Sequence, residues 1–523
     1  MPALWLLLFV GCAHCIRVHY DNTTVSSNAK QLYDFKAKYS TPIGLWTTSA
    51  GKPAEIRDTV SINSDLFSNP LHLDLTMHFD AERIPERVIY AKGTGAHGHF
   101  IVTNDVSKYT KADLFNGVGK KTPLFVRFSQ GLQSLGGSDL ARGLKGMAVK
   151  FYTKDGNFDI IGVQTPVYLY RDPLYFGSLV RSFKKNPKTN LIDVTSRWDF
   201  LTMVPSSLHG YLWTQSDYGV PDGYRKMDIF PVHTYELNNK HGDRYYVRFN
   251  FRTEQGLANL TSAQAAELAG RDPDYYTRDL YNAIERKDYP SWQLEMDVMS
   301  LHDIKSIDYD PFDLTRQWKR GTYRTIQIGR LVLTENPINH FRVVEHSAFN
   351  PGNLVPGIPG PVDYVFKARR LFYQHSQSHR LGINFNNIEV NEPIHALTYN
   401  RDGPPPLGKN MMDAPNYYPN SFNGPIPYVD ESQPSEKLLL LQSNAIDLEP
   451  HSDFYNNVLK TEDERQRMVD NIAGSLLSVT SPVLQRVINF MHLIDPDLGK
   501  RVTLAFEIAR AAARQLTAPS VKN

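Results

Sequence analysis

Arg244-Tyr-Tyr-Val-Arg-Phe-Asn-Phe-Arg-Thr253 sets Tyr245, Val247, Phe249 and Phe251 against Arg248, Asn250 and Arg252 on alternate positions. Side chains alternate across a strand with period two, so this stretch reads as a half-buried strand of an antiparallel sheet. Further along, Leu294, Met296 and Val298 alternate with Glu295 and Asp297 in the same way. Lys121–Ser129, Gly146–Thr153 and Asp159–Tyr170 are further strand candidates, and between about 86 and 335 such runs are separated by turn residues. The expectation is an antiparallel barrel or sandwich.

Outward from this region the pattern changes twice. From about 350 to 435 prolines crowd the chain: Pro351, Pro356, Pro359, Pro361, Pro404-Pro405-Pro406, Pro415, Pro419, Pro425 and Pro427. Proline removes a backbone donor, so this density predicts a long wrapping connection, with one helical patch at Tyr364–Tyr373. After 435 the pattern is helical. Thr461-Glu-Asp-Glu464 is a capping box, Ser481-Pro482 reads as an N-cap followed by proline at the first helical position, and three amphipathic helices are predicted over 461–475, 482–494 and 498–516.

The 523 residues are 41% hydrophobic and 21% charged, which excludes disorder, collagen and a multi-span membrane protein. Lys+Arg 57 against Asp+Glu 55 leaves a formal charge of +2 with no long basic stripe, so nucleic acid is not an expected partner. MPALWLLLFVGCAHC, residues 1–15, reads as a secretory signal cut after Cys15; it is too short to span a bilayer, and no second apolar stretch suggests a membrane partner. Both cysteines, Cys12 and Cys15, lie inside it, so the mature chain holds no disulfide. The sequons at Asn22 and Asn259 fit an exported glycoprotein.

Two motifs carry possible chemistry. Gly93-Thr-Gly95-Ala-His-Gly98 matches the dinucleotide pattern G-x-G-x-x-G after the strand-like Arg87–Ala91, but His99–Val106 continues as strand where that pattern needs a helix. It is read as a glycine-rich turn. In Arg369-Arg-Leu-Phe-Tyr373, positions i and i+4 share a helix face, so the Arg369 guanidinium reaches the Tyr373 phenol. A phenol titrates near pH 10, and a fixed cation favours the phenolate, which is a known axial ligand of haem iron.

Arg87-Val-Ile-Tyr90-Ala-Lys-Gly, Val126-Arg127-Phe128-Ser129, Val149-Lys-Phe-Tyr-Thr-Lys-Asp-Gly-Asn157, Ser216-Asp217 with Pro221-Asp222-Gly223, Asp272-Pro-Asp274-Tyr, Tyr289-Pro-Ser-Trp292, Pro311-Phe-Asp-Leu-Thr315, His379-Arg380-Leu-Gly382 and Ala414-Pro-Asn-Tyr-Tyr-Pro-Asn-Ser-Phe422 resemble the haem catalases, in order, from about residue 30 to 515. The length resembles the small-subunit, clade-3-like type. The resemblance implies an α+β fold with an eight-stranded antiparallel β-barrel. Its parts are a signal peptide (1–15), an N-terminal arm (16–85), a haem-binding barrel (86–335), a wrapping loop with the proximal helix (336–435) and a C-terminal helical domain (436–523). It also implies a homotetramer and a cofactor, haem b (iron protoporphyrin IX).

Residue by residue, the proximal iron ligand falls on Tyr373, supported by Arg369. The arginines that meet haem propionates match Arg87, Arg127 and Arg380; Ser129 matches the distal serine, Tyr168 the phenylalanine packed on the haem, and Phe176 a further haem contact. His379 also fits the pattern. The catalytic histidine and asparagine match Tyr90 and Val163, and both are replaced. Peroxide cleavage needs a group that takes and returns a proton near neutral pH; a phenol is about 0.1% ionised at pH 7, and valine offers no hydrogen bond. Gly131 and Gly143 stand for a channel valine and an aspartate, Leu371 and His375 alter the proximal signature, and Tyr218 in place of an arginine weakens the expectation of bound NADPH.

Three readings stay open: an active secreted catalase or weak peroxidase degrading hydrogen peroxide, a secreted haem-binding protein with little or no dismutation (transport, storage or pigment), and a haem-free scaffold. Exported protein is expected to begin near Ile16 on N-terminal sequencing. Lacking cysteine, it should melt at the same temperature with and without reducing agent.

Overall fold

In the computed structural model the described residues are 26–55, 69–404, 408–432 and 446–517. The signal segment with Cys12 and Cys15, and the sequon at Asn22, lie outside them. The chain divides into two units, 1–84 and 85–523. The first contains the helices Ser27–Lys38 and Pro70–Ala81, each opened by a side-chain cap, Ser26 on the Ala29 amide and Asn69 on the Leu71 and His72 amides.

The second unit is built on one antiparallel sheet: β1 (Gly93–Val102), β2 (Lys121–Gln130), β3 (Lys145–Thr153), β4 (Gly156–Val163), β5 (Tyr235–Asn238), β6 (Arg244–Thr253), β7 (Ser291–Ser300), β8 (Arg324–Glu335) and β9 (Gly360–Pro361). The order is β4-β3-β2-β1-β8-β7-β6-β5-β9, so the expected eight strands are joined by a two-residue ninth at the edge of β5. The sheet curls far enough for one short segment to stitch its two halves. Ile229 bridges to Phe251 of β6, and Phe230 exchanges both backbone bonds with Val163 of β4. Phe100, Phe128, Phe151, Phe158, Phe249 and Trp292 fill the interior, with Phe100 edge-on to Phe151, Phe151 stacked on Phe158 and Phe128 tilted against Trp292.

The alternation in β6 and β7 is as read: Val247, Phe249 and Phe251, with Leu294, Met296 and Val298, face the core. The opposite face of β6 is buried too. Arg248 donates to the carbonyls of Pro311, Asp313 and Arg316 and lies under the Trp318 ring, so a covering loop makes the outward arginine an interior one.

Gly93–Gly98 is not a turn but the first six residues of β1, paired with β2 throughout and with β8 from His97 onward. A Cβ at Gly95 would sit 2.6 Å from the Val126 carbonyl oxygen, and one at Gly98 2.0 Å from that of Val332. The glycines are there because the neighbouring backbones come too close for a side chain. Arg87–Ala91 is irregular, with Tyr90 at φ 61°, instead of a strand. β4 ends at Val163, so Asp159–Tyr170 is only in part strand, and β1 ends at Val102 where His99–Val106 reads on.

Helices inserted between the strands, among them Phe176–Phe183, Val194–Met203, Ser206–Gln215, Ser262–Arg271 and Tyr275–Glu285, are absent from the sequence reading. Two of them form a second core with the C-terminal helices Glu462–Leu476, Val483–Ile494 and Pro496–Thr517: Trp198, Leu201, Leu208 and Leu212 pack with Met468, Ile472, Val487 and Met491. The Thr461–Glu464 capping box is present. Ser481 is not the cap of the next helix; Pro482 holds that position without a side-chain bond, the first turn being satisfied by the Thr480 and Pro482 carbonyls. The helix expected at Tyr364–Tyr373 runs on to Leu381, because the first proline beyond it is Pro393. Among the described residues no helix is long and apolar enough to cross a membrane.

Gly98→Val should lower the thermal unfolding midpoint, with an overpacking cost of about 1–3 kcal/mol or more. Gly136→Ala, where an added Cβ meets nothing within 4 Å, should leave it unchanged.

Candidate functional site

The helix Tyr364–Leu381 presents Arg369 and Tyr373 on one face, and the Arg369 Nη2 donates to the Tyr373 hydroxyl at 3.2 Å. The other arm of the guanidinium meets His233 Nε2 at 2.6 Å, and His233 Nδ1 lies 2.8 Å from Asp363 Oδ2. With Nη1 donating, Nε2 accepts and Nδ1 carries the proton, so the imidazole is neutral. Burial, set against Asp363, pushes the His233 pKa down. Asp363 also caps the helix, its Oδ1 accepting the Phe366 amide at 2.8 Å. Burial opposes its charge, but His233 and that amide hold the carboxyl below its ordinary value. Burial likewise works against the Arg369 charge; the phenols of Tyr373, Tyr168 and Tyr170 outweigh it and raise its pKa.

His233 and Asp363 were not singled out from sequence. Pro231-Val-His-Thr-Tyr235 carries no periodicity, and the signal available was Asp363 as a cap. His233 is aimed by a tight turn: its amide bonds the Pro231 carbonyl at 2.7 Å, and Val232, a β-branched residue, sits at φ 59°. Such a conformation costs energy and persists where the surroundings over-determine it.

Tyr373 and Arg369 open onto a cavity of about 630 Å³, within the range of small-molecule sites. Its lining brings together Arg87, Tyr90, Arg127, Ser129, Val163, Tyr168, Phe176, Arg369 and Tyr373 from six separate stretches of chain, along with Leu371 and His375. Arg380 lies behind that wall and His379 is exposed; neither lines the cavity.

At one end of the cavity three guanidiniums converge. Arg87 donates to the carbonyls of Val344, Glu345 and Ser347; Arg380 donates to those of Glu345 and Ser347; Arg127 donates to those of Tyr90 and Ala91 at 2.9 and 2.7 Å. Burial and mutual repulsion lower the pKa of Arg87 and bring that of Arg380 down to about 10, while burial lowers that of Arg127. Glu345 is the acid set among them, 3.4 Å from Arg87; burial opposes its charge, but His340, Arg87 and Arg127 draw its pKa down to about 2. The Nε atoms of Arg127 and Arg380 are buried without a hydrogen-bond partner, while the Oε1 of Glu345 faces His340 Nε2 at 3.6 Å. Three cations against one carboxylate leave room for two more negative charges. That is the donor set a dicarboxylate such as haem would engage through its propionates, so the residues fit that cofactor.

Across the cavity the Tyr90 backbone, strained at φ 61°, is held by its amide on the Gly131 carbonyl and its own carbonyl on Arg127. Its ring packs beside Ser129 where Gly146 has no side chain; a Cβ there would stand 3.1 Å from the ring. Burial, Tyr168 and Tyr373 push the Tyr90 phenol well above its ordinary value, so it stays protonated. Val163 presents only methyl groups. Among the described residues this wall holds no side chain that exchanges protons near pH 7.

The family model described as Catalase matches residues 47–424, and one described as Catalase-related immune-responsive matches 452–506. The chain is 42% identical over 444 residues to a catalase of Methanosarcina barkeri, covering 83% of this chain and 88% of that protein. It is 40% identical over 496 residues to a catalase of Ascaris suum, covering 93% and 92%. Among solved structures, catalase A from Saccharomyces cerevisiae superposes with a TM-score of 0.83 at 33% identity, over 89% of this chain and 99% of that one. A fungal catalase gives 0.83 at 32%, over 88% and 96%.

Glu345 is charged more readily in the fold, at about 2 against an ordinary 4.5, so its contribution of at most about 3 kcal/mol is complete above 4.5 and lost as pH falls towards 2. Glu345→Gln should therefore flatten the pH dependence of urea unfolding across that window, besides lowering stability at neutral pH.

Proposed function

This chain belongs to the catalase family, and we propose that it is a secreted, haem-binding member with little or no dismutation of hydrogen peroxide, serving haem transport, storage or pigmentation. One observation carries the reading: a cavity whose proximal wall has the phenol, guanidinium, imidazole and carboxylate in register faces a distal wall of a protonated phenol and a valine. Tyr373 would hold the iron of haem b, with Arg87, Arg127 and Arg380 on the propionates and Tyr168 and Phe176 against the ring. When bound, haem supplies the redox chemistry on which peroxide cleavage depends.

What the chain's own residues do there is limited. Arg369 can stabilise an ionised Tyr373, and His233 with Asp363 fixes the Arg369 plane. Tyr90 can donate one hydrogen bond but cannot take up a proton at neutral pH, and Val163 cannot orient a second oxygen. General acid–base help is worth about 10²–10⁴-fold, so dismutation at least about a thousand times slower than that of a typical family member is expected.

The intact proximal chain is the observation that favours the second reading, an active catalase. A homotetramer is part of the proposal: Leu45 is 81% and Ile426 85% exposed, with Trp46, Phe79, Phe422 and Tyr428 also open. So much exposed apolar surface calls for a partner. NADPH is not part of it. Tyr218 lines a separate cavity of about 740 Å³, and Arg252 on the same wall is taken by Asp228 and Glu295.

Protein mixed with haem should show a Soret band that Tyr373→Phe abolishes; an unchanged band would mean another ligand. Oxygen evolution from peroxide should be slow and should rise measurably in Tyr90→His with Val163→Asn. Wild-type turnover near that of the double variant would establish the active reading.

A further inference from the structure

A cavity of about 940 Å³ lies against the first, sharing Arg87, Val88, Ile89, Tyr90, Tyr168 and Phe176 with it. Its remaining wall includes neutral polar residues, among them Gln133, Thr214 and Asn471, and two further parts. One part is apolar, with Leu132, Leu144, Leu179, Val180, Phe183 and Ile192. The other is basic: Arg142, Lys184, Lys185 and Arg197 line it, against a single acid, Glu86.

None of these four cations is paired with a carboxylate among the described residues. Arg142 donates to the Thr214 and Ser216 carbonyls and the Ser262 hydroxyl, and the nearby Asp217 is taken by Arg467. Lys184 bonds the Val88 carbonyl. Arg197 lies over the Phe183 ring with its Nε buried and unpartnered. Lys185 is exposed. Glu86 accepts the Leu135 amide. Gly143, on the same wall, adds no acid where the family resemblance leads to an aspartate.

Partly exposed cations on a cavity wall with one acid among them favour an anionic ligand, and an apolar wall beside them favours a ligand with an apolar part. We propose that this chamber binds an amphipathic anion, a carboxylate on an apolar chain of fatty-acid size. The head group meets Lys185 and Arg197, and the chain lies along Leu144, Leu179 and Phe183 towards Tyr90. The volume is at the upper end for small-molecule sites and far beyond what peroxide needs. The site is distinct from the arginine cluster at the other end of the first cavity, and the proposal does not require bound haem.

The test is calorimetric titration of the full-length protein with dodecanoate, and with acetate and dodecyltrimethylammonium as head-only and opposite-charge probes. Dodecanoate should bind, and the other two should bind at least about tenfold more weakly, the scale of one lost charge-assisted contact. Lys185→Glu, at an exposed position that leaves folding intact, and Arg197→Met should each weaken dodecanoate by about tenfold or more. Equal binding of the cationic probe, no binding of dodecanoate, or unchanged affinity in Lys185→Glu overturns the proposal. Soret titration of the same samples reports separately on haem, so either reading can fail alone.

Discussion

The Arg369 guanidinium ties the unit together. It is buried on the helix within the wrapping connection, yet one arm reaches a histidine from the stretch before β5 and the other the phenol one turn away. A fully desolvated arginine is costly unless each arm finds an acceptor, so this one locks the helix and the turn at His233 into a single arrangement. The helix cannot slide by a turn without stranding the charge, and His233 cannot turn without losing both Arg369 and Asp363. Val232 shows how much is invested in that geometry, since a β-branched residue at positive φ is held only by the bonds around it.

A second group of charges works differently. Arg87, Arg127 and Arg380 repel one another, and the protein compensates them with backbone carbonyls and one carboxylate, Glu345. The carbonyls orient the guanidiniums without cancelling their charge. The corner is therefore electrostatically incomplete in the same way that the neighbouring chamber is, and both lie against Tyr90. A surplus of positive charge at both places favours anionic groups in this region.

Which parts of this were legible in sequence follows from what each signal depends on. Local rules sufficed for β6 and β7, where alternation meets one buried face, and for the Thr461 capping box, where a side chain bonds the backbone three residues on. They failed where a distant backbone decides. Gly95 and Gly98 are glycines because β2 and β8 approach, and from the chain alone they are indistinguishable from turn glycines. Arg248 reads as outward until the loop 311–318 covers it. Arg369 and Tyr373 were found by helical spacing. His233 and Asp363 are 136 and 6 positions from Arg369, counting along the numbering, and only the first distance defeats local reading; Asp363, just before the helix, carries a cap signal that says nothing of its charge partner.

The two walls of the site were free to change to different degrees. On the proximal side each group is fixed by two neighbours: Asp363 by a helix amide and an imidazole, His233 by a carboxylate and a guanidinium, Arg369 by an imidazole and a phenol. Replacing any one strands a buried charge or donor and costs stability as well as chemistry. On the distal side Tyr90 is positioned through its backbone, by Arg127 and Gly131, and Val163 through strand pairing with Gly146 and Phe230. Neither side chain carries a structural hydrogen bond among the described contacts. The backbone scaffold therefore accepts a phenol or a valine there without penalty to the fold, so the groups that determine proton transfer can be lost while the groups that would grip a cofactor persist.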